Sequence, residues 1–129
     1  MPNAAPARWA SEGDVNHMKR YGTIIGLRED KVEEYRELHK AVWPNVLKKI
    51  KECNIQNYSI YLRKLHKDNY YLFSYFEYTG EDFKADMERM AADSTTQEWW
   101  KLCNPCQIPL ENRAEGEWWA DMEEVFHCQ

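Results

Sequence analysis

This 129-residue chain has no basic block: 17 Lys and Arg residues stand against 22 Asp and Glu, a net charge of −5. A mildly acidic chain carries no electrostatic footprint for nucleic acid. No apolar run approaches the roughly 20 residues that a membrane-spanning helix needs. The N-terminus lacks the basic-then-apolar pattern of a secretion signal. The expectation is a soluble, intracellular, cytoplasmic protein. Cysteines are few, Cys53, Cys103, Cys106 and Cys128, and reduced thiols are the default in such a chain. Cys103 and Cys106 have redox-motif spacing, but they fall near the end of an expected helix, not at a helix start where the dipole would lower a thiol pKa. Taken with His127 and Cys128 they match no common zinc spacing. A Gly-rich phosphate loop, a metal-spaced histidine set and a nucleophile elbow are all missing. These absences argue against phosphoryl transfer and nucleotide cofactors. They leave proton-transfer chemistry or plain binding.

What is present is apolar material, 43% hydrophobic and 14% aromatic, enough for a single core in a chain of this length. The strongest pattern is helical and runs from Asp30 to about Cys53. Val32, Tyr35, Val42, Val46, Ile50 and Cys53 fall near one stripe, with Leu38, Trp43 and Leu47 beside it. Tyr35 and His39 lie one turn apart on that face. Asp30 with Glu33 reads as a capping-box start. Pro44 pushes Trp43 out of helical geometry, so a kink or restart is expected just after His39.

The flanking segments complete an architecture. Residues 1–18 hold two prolines and no periodicity and read as a mobile tail ahead of one domain over 19–129. Lys19–Leu27 alternates as a first strand, with Gly22 and Gly26 leaving one face shallow for a helix or a ligand. Gln56–Lys64 reads as a second strand and Tyr70–Thr79 as a third. In the third, both alternating sets are largely apolar, which implies that both faces are covered. A helix over about 81–92 follows, then one over about 95–103 opened by Ser94 and Gln97. Residues 105–116 read as a loop and Glu117–His127 as a last strand. Strand, helix, strand, strand, helices, strand is the order of a ferredoxin-like βαββαβ plait, an α+β fold with helices on one face of an antiparallel sheet. The spare apolar face predicts a homodimer with the two sheets packed together, a dimeric α/β barrel.

Among candidate site residues, His39 is the sharpest, because imidazole both gives and takes a proton near neutral pH. Tyr35 beside it can orient a hydroxyl, although a tyrosine on a core face more often simply packs. Trp99 and Trp100 point about 100° apart on a helix, so they cannot both serve one core stripe, and one reads as wall or lid. Trp118 and Trp119 read as structural, one per face. Tyr58 lies on the second strand with its face undetermined.

Tyr35-x-x-x-His39-x-x-x-Trp43-Pro44, Asn57-Tyr58-x-Ile60-Tyr61, Glu98-Trp99-Trp100 and the closing Met122-Glu-Glu-Val-Phe126 together resemble the L-rhamnose mutarotase family. The resemblance spans about Lys19 to His127. It implies an aldose mutarotase of the isomerase class that interconverts the α and β anomers of a 6-deoxy-L-sugar, as a dimeric plait without metal or cofactor. The family's proton donor falls on His39, its sugar-contacting tyrosines on Tyr35 and Tyr58, and its tryptophan pair on Trp99 and Trp100. Two departures stand out: Asn45 follows Trp-Pro where an acid is expected, and the loop near Asn112 is longer than in the compact form. Alternatives are an L-fucose mutarotase, a plait domain binding haem or another hydrophobic ligand through His39, and a cofactor-free monooxygenase.

Overall fold

The computed structural model describes residues 18–129, so the tail expected over 1–18 lies, Met18 apart, outside the described residues. The strands are β1 (Lys19–Leu27), β2 (Ile55–Lys64), β3 (Tyr70–Tyr78), β4 (Gln107–Ile108) and β5 (Ala120–Met122). The helices are α1 (Val32–Lys40), α2 (Pro44–Glu52), α3 (Phe83–Ala92) and α4 (Ser94–Cys103). Every strand pairing is antiparallel, and the sheet order is β2-β3-β1-β4 with β5 also on β1. This is the ferredoxin-like plait with its fourth strand split in two.

The split corrects the reading of the C-terminal region. The expected strand over Glu117–His127 shrinks to Ala120–Met122, and the expected loop 105–116 contains β4. The edge of β1 is shared: Gly26 and Leu27 pair with β4, while Gly22 to Ile24 pair with β5. Trp118 and Trp119 therefore precede the strand instead of alternating across it. Gly26 is where the close approach occurs, since a Cβ there would stand 2.8 Å from the Ile108 carbonyl oxygen. The glycine face thus receives β4 and the Met122 side chain, not the expected helix or ligand.

The two sheet faces differ. Tyr21, Thr23, Ile25 and Leu27 of β1 and Leu72, Ser74, Phe76 and Tyr78 of β3 share one face. On it Ile25, Leu27 and Leu72 form a core with Val32 and Tyr35 of α1, Val46 of α2, and Trp99 and Cys103 of α4. The Thr23 and Ser74 hydroxyls, both buried there, satisfy each other at 2.5 Å. The opposite face carries Ile24, Phe73, Tyr75, Tyr61, Ile108 and Met122. Of these, Tyr61 is 63% and Ile108 51% exposed. An apolar sheet face with no covering layer in the monomer matches the two greasy alternations of the third strand.

The expected break at Pro44 is present. Helix α1 ends at Lys40, Trp43 is extended (ψ 134°), and Pro44 takes the first position of α2, where its missing N–H costs nothing. The caps differ from expectation. Asp30 lies in a 3-10 turn, Glu29–Lys31, and pairs with Arg28 instead of capping α1. Asp93, not Ser94, caps α4 by accepting from the Thr96 N–H. Asn54, at φ 67°, ends α2 in the left-handed position that glycine usually fills.

An ion network ties α3 to the sheet. The Asp86 carboxylate is buried and accepts from Tyr78 Oη at 2.5 Å, Asn54 Nδ2 at 2.9 Å and Arg89 Nη2 at 2.8 Å. Met87 and Met90 of the same helix are half-buried, and Asp86 is the residue that α3 buries. The hydrogen bond from Tyr78, then those from Asn54 and Arg89, hold the Asp86 carboxyl down at about 2. Its folded pKa lies below the ordinary value near 4, so its stabilising effect is present above that value and is lost as pH falls towards about 2. Thermal melts between pH 5 and pH 2 are therefore expected to show a falling Tm in the wild type and a flatter, lower profile in Asp86→Asn.

Candidate functional site

The site begins in the last turn of α1. The side chain of His39 folds back so that Nδ1 lies 3.0 Å from the carbonyl oxygen of Tyr35. A carbonyl only accepts, so Nδ1 carries the proton and Nε2 keeps a free lone pair in the neutral ring. Burial lowers the imidazole pKa, and the bond to the Tyr35 carbonyl only partly offsets that. His39 is thus neutral near pH 7, with one nitrogen committed and one available.

Aromatic rings fix its plane. Tyr35 stacks on His39 with centroids 4.2 Å apart, and Trp99 meets it edge-on at 5.3 Å. Trp43, at the helix break, supports Trp99 edge-on at 5.2 Å. Trp99 is buried on α4, while the neighbouring Trp100 turns to a half-buried position against the same core. One tryptophan of the pair therefore packs and the other borders it, as the helical offset requires.

Tyr58 arrives from β2 by an irregularity. The β2–β3 register shifts between Gln56 and Ser59, and Asn57 has a positive φ of 49°. Tyr58 shares the helix side with Ile60 and Leu62, its ring edge-on to Phe76 at 5.5 Å, and the bulge takes up the extra residue beside it. Although the residue as a whole is 43% exposed, its phenol is desolvated, and burial pushes the pKa up to about 12. Burial likewise raises the Tyr35 phenol well above its ordinary value. The two phenols and Cys103 are close enough to influence one another's ionisation. The structure thus brings Tyr35, His39, Tyr58 and Trp99 to one side of the sheet, with Trp100 at the margin.

Further polar groups adjoin these residues. Gln107 of β4, buried, donates from Nε2 to Tyr35 Oη at 3.1 Å, and the Trp118 indole N–H donates to Gln107 Oε1 at 2.7 Å. No sequence pattern marked Gln107, because its neighbourhood read as loop. Cys103 and Cys106 are free, buried thiols, and burial raises both, Cys103 to about 12. Neither is poised as a thiolate. Among the described residues, no group of three or more His, Cys, Asp or Glu side chains is arranged to hold a metal ion. A surface depression of about 750 Å³ lies elsewhere, bordered by Gly26, Leu27, Asp68, Tyr71 and Ile108. It includes none of the five candidate residues and no buried acid–base group.

Such a site, an acid–base imidazole between phenols and indoles, suits a small polyhydroxylated ligand with an apolar face. The comparisons agree. The L-rhamnose mutarotase family model matches residues 20–128. The L-rhamnose mutarotase of Oceanobacillus iheyensis is 34% identical over 110 residues, 85% of this chain and 98% of that protein. That of Bacillus subtilis is 31% identical over the same coverage. The crystal structure of L-rhamnose mutarotase from Formosa agariphila superposes with a TM-score of 0.64 at 19% identity, over 86% of this chain and 99% of that one, and so shares the fold. By profile, identity and coverage, the chain belongs to the L-rhamnose mutarotase family.

Proposed function

We propose that the protein interconverts the α and β anomers of L-rhamnose by general acid–base catalysis at His39. The observation that carries this reading is the Nδ1–Tyr35 carbonyl bond, which leaves Nε2 free in a ring flanked by the Tyr35 phenol and the Trp99 indole. Mutarotation opens the pyranose between the anomeric carbon and the ring oxygen. The anomeric hydroxyl loses its proton, the ring oxygen gains one, and an open-chain aldehyde forms. Rotation about the adjacent carbon–carbon bond presents the other carbonyl face, and the same transfers run in reverse. No proton is consumed overall.

Neutral His39 Nε2 accepts the anomeric proton on opening and returns it, as the imidazolium, on closure. In that second half it is the proton donor that the family resemblance implies. Water or a phenol at the site supplies the ring-oxygen proton. Tyr35 and Tyr58, held protonated by burial, are hydrogen-bond partners for sugar hydroxyls rather than bases. Trp99 and Trp100 provide apolar surface for the sugar's C–H face and methyl group. No step in this scheme requires a metal or cofactor. The four thiols suit a reducing cytoplasm.

We assign the uncovered sheet face to a second copy of the chain. Tyr61, Ile108 and Met122, with Val125 (81% exposed) and Phe126 (79% exposed), are apolar groups that a sheet-to-sheet dimer would remove from water. In sedimentation at micromolar concentration the wild type is expected as a dimer, and Tyr61→Glu, at an exposed position, as a monomer. A monomeric wild type would remove this assignment.

Anomer exchange measured by NMR tests the catalytic role. His39→Ala is expected to lose roughly 10²–10⁴-fold in exchange rate while keeping its melting transition. Because burial lowers the His39 pKa, the base form persists to lower pH than in free histidine. The acid limb of the rate profile is therefore expected below about 6.5. Wild-type exchange of L-rhamnose no faster than buffer would refute the reading, and faster exchange of L-fucose would reassign the sugar.

A further inference from the structure

We infer that Gln107 and Trp118 are positioning residues that commit the Tyr35 hydroxyl to donating its proton to the bound sugar. The inference rests on the sugar reading above and extends it to residues outside the acid–base site.

The argument follows from donor and acceptor inventories. The Trp118 indole N–H can only donate, and it lies 2.7 Å from Gln107 Oε1. That contact fixes which end of the Gln107 amide is which. The amide nitrogen, which can only donate, therefore points at Tyr35 Oη, 3.1 Å away. Tyr35 must accept there, and its own proton is turned elsewhere. Gln107 is 8% and Tyr35 5% exposed, so water does not readily replace this partner. The titratable groups around the hydroxyl are His39 on the same helix, Tyr58 from β2, and Cys103 and Cys106 at the end of α4. None offers Tyr35 a carboxylate. Among the described residues Tyr35 Oη accepts from Gln107 and donates to no other group, so its proton is directed to an oxygen lone pair of the sugar. The ligand is selected for an accepting oxygen at that position, and an analogue with a second donor there is rejected.

Gln107→Glu reverses the polarity at nearly constant shape. As a carboxylate the new side chain only accepts, so Tyr35 turns its proton towards it and the sugar loses its donor. At pH 8, kcat/KM for L-rhamnose exchange is expected to fall roughly tenfold or more, mainly through KM. As pH falls and the carboxyl protonates, its O–H donates to Tyr35 while its C=O still accepts from Trp118. The variant-to-wild-type ratio then climbs back towards one. Gln107→Met, apolar and similar in volume, loses less than Gln107→Glu at pH 8 because Tyr35 stays free to donate. A purely structural Gln107 would give the opposite order and a ratio flat in pH, and either result overturns the inference.

Trp118→Phe, at a position 41% exposed and so tolerant of change, is expected to raise KM severalfold with little change in Tm. An unchanged KM in that folded variant also overturns it. One readout needs no sugar: the Trp118 indole proton resonance is expected downfield and slow to exchange, and both features disappear in Gln107→Met. An indole signal indifferent to that substitution removes the hydrogen-bonded chain itself. A wild type that accelerates no anomer exchange instead removes the sugar reading.

Discussion

The hydrogen bond from His39 Nδ1–H to the Tyr35 carbonyl governs the rest of the site. His39 stands one turn after Tyr35 in α1, so its side chain shares the carbonyl that i→i−4 geometry gives to its own backbone N–H, and Pro44 restarts the helix just beyond. That one contact selects the imidazole tautomer and leaves Nε2 unprotonated in the neutral ring. Ring stacking on Tyr35 and edge contact with Trp99 then hold the imidazole plane.

Around that bond the plait divides its labour between two faces. The helix side buries Ile25, Leu27 and Leu72 against α1, α2 and α4 and brings the phenols of Tyr35 and Tyr58 together. Desolvation does two things there. It keeps the imidazole neutral and it keeps the phenols protonated, so each group enters the reaction in the form its role needs. The other face carries the apolar side chains we assign to a second subunit. The fourth strand, broken into β4 and β5, serves both. β4 delivers Gln107 to the helix side and Ile108 to the outer side, and β5 places Met122 beside Gly22.

Much of this is legible in the sequence. The 3.6-residue stripe, the Pro44 break and the alternation of β1 and β3 are local signals, and the plait followed from element order. Within the site, Tyr35 and His39 could be placed together because four residues make about one helical turn. Tyr58 shares its face with Ile60 and Leu62 by alternation, but which face of β2 meets the helices is a pairing choice that no local signal fixes. Asp86 was invisible for the same kind of reason: a carboxylate on an inward helix face makes sense only once Tyr78, Asn54 and Arg89 converge on it. The two capping errors were of one residue or one turn, where Asp30 and Asp93 competed with neighbouring polar side chains. Gln107 had no signal at all, since a two-residue strand leaves no periodicity to read.

The central claim is the state of one ring, and nitrogen-15 NMR of the His39 imidazole in the free protein reads it directly. The account predicts, at pH 7, a neutral ring protonated at Nδ1 with Nε2 unprotonated. An imidazolium at that pH, or a neutral ring protonated at Nε2, would contradict it.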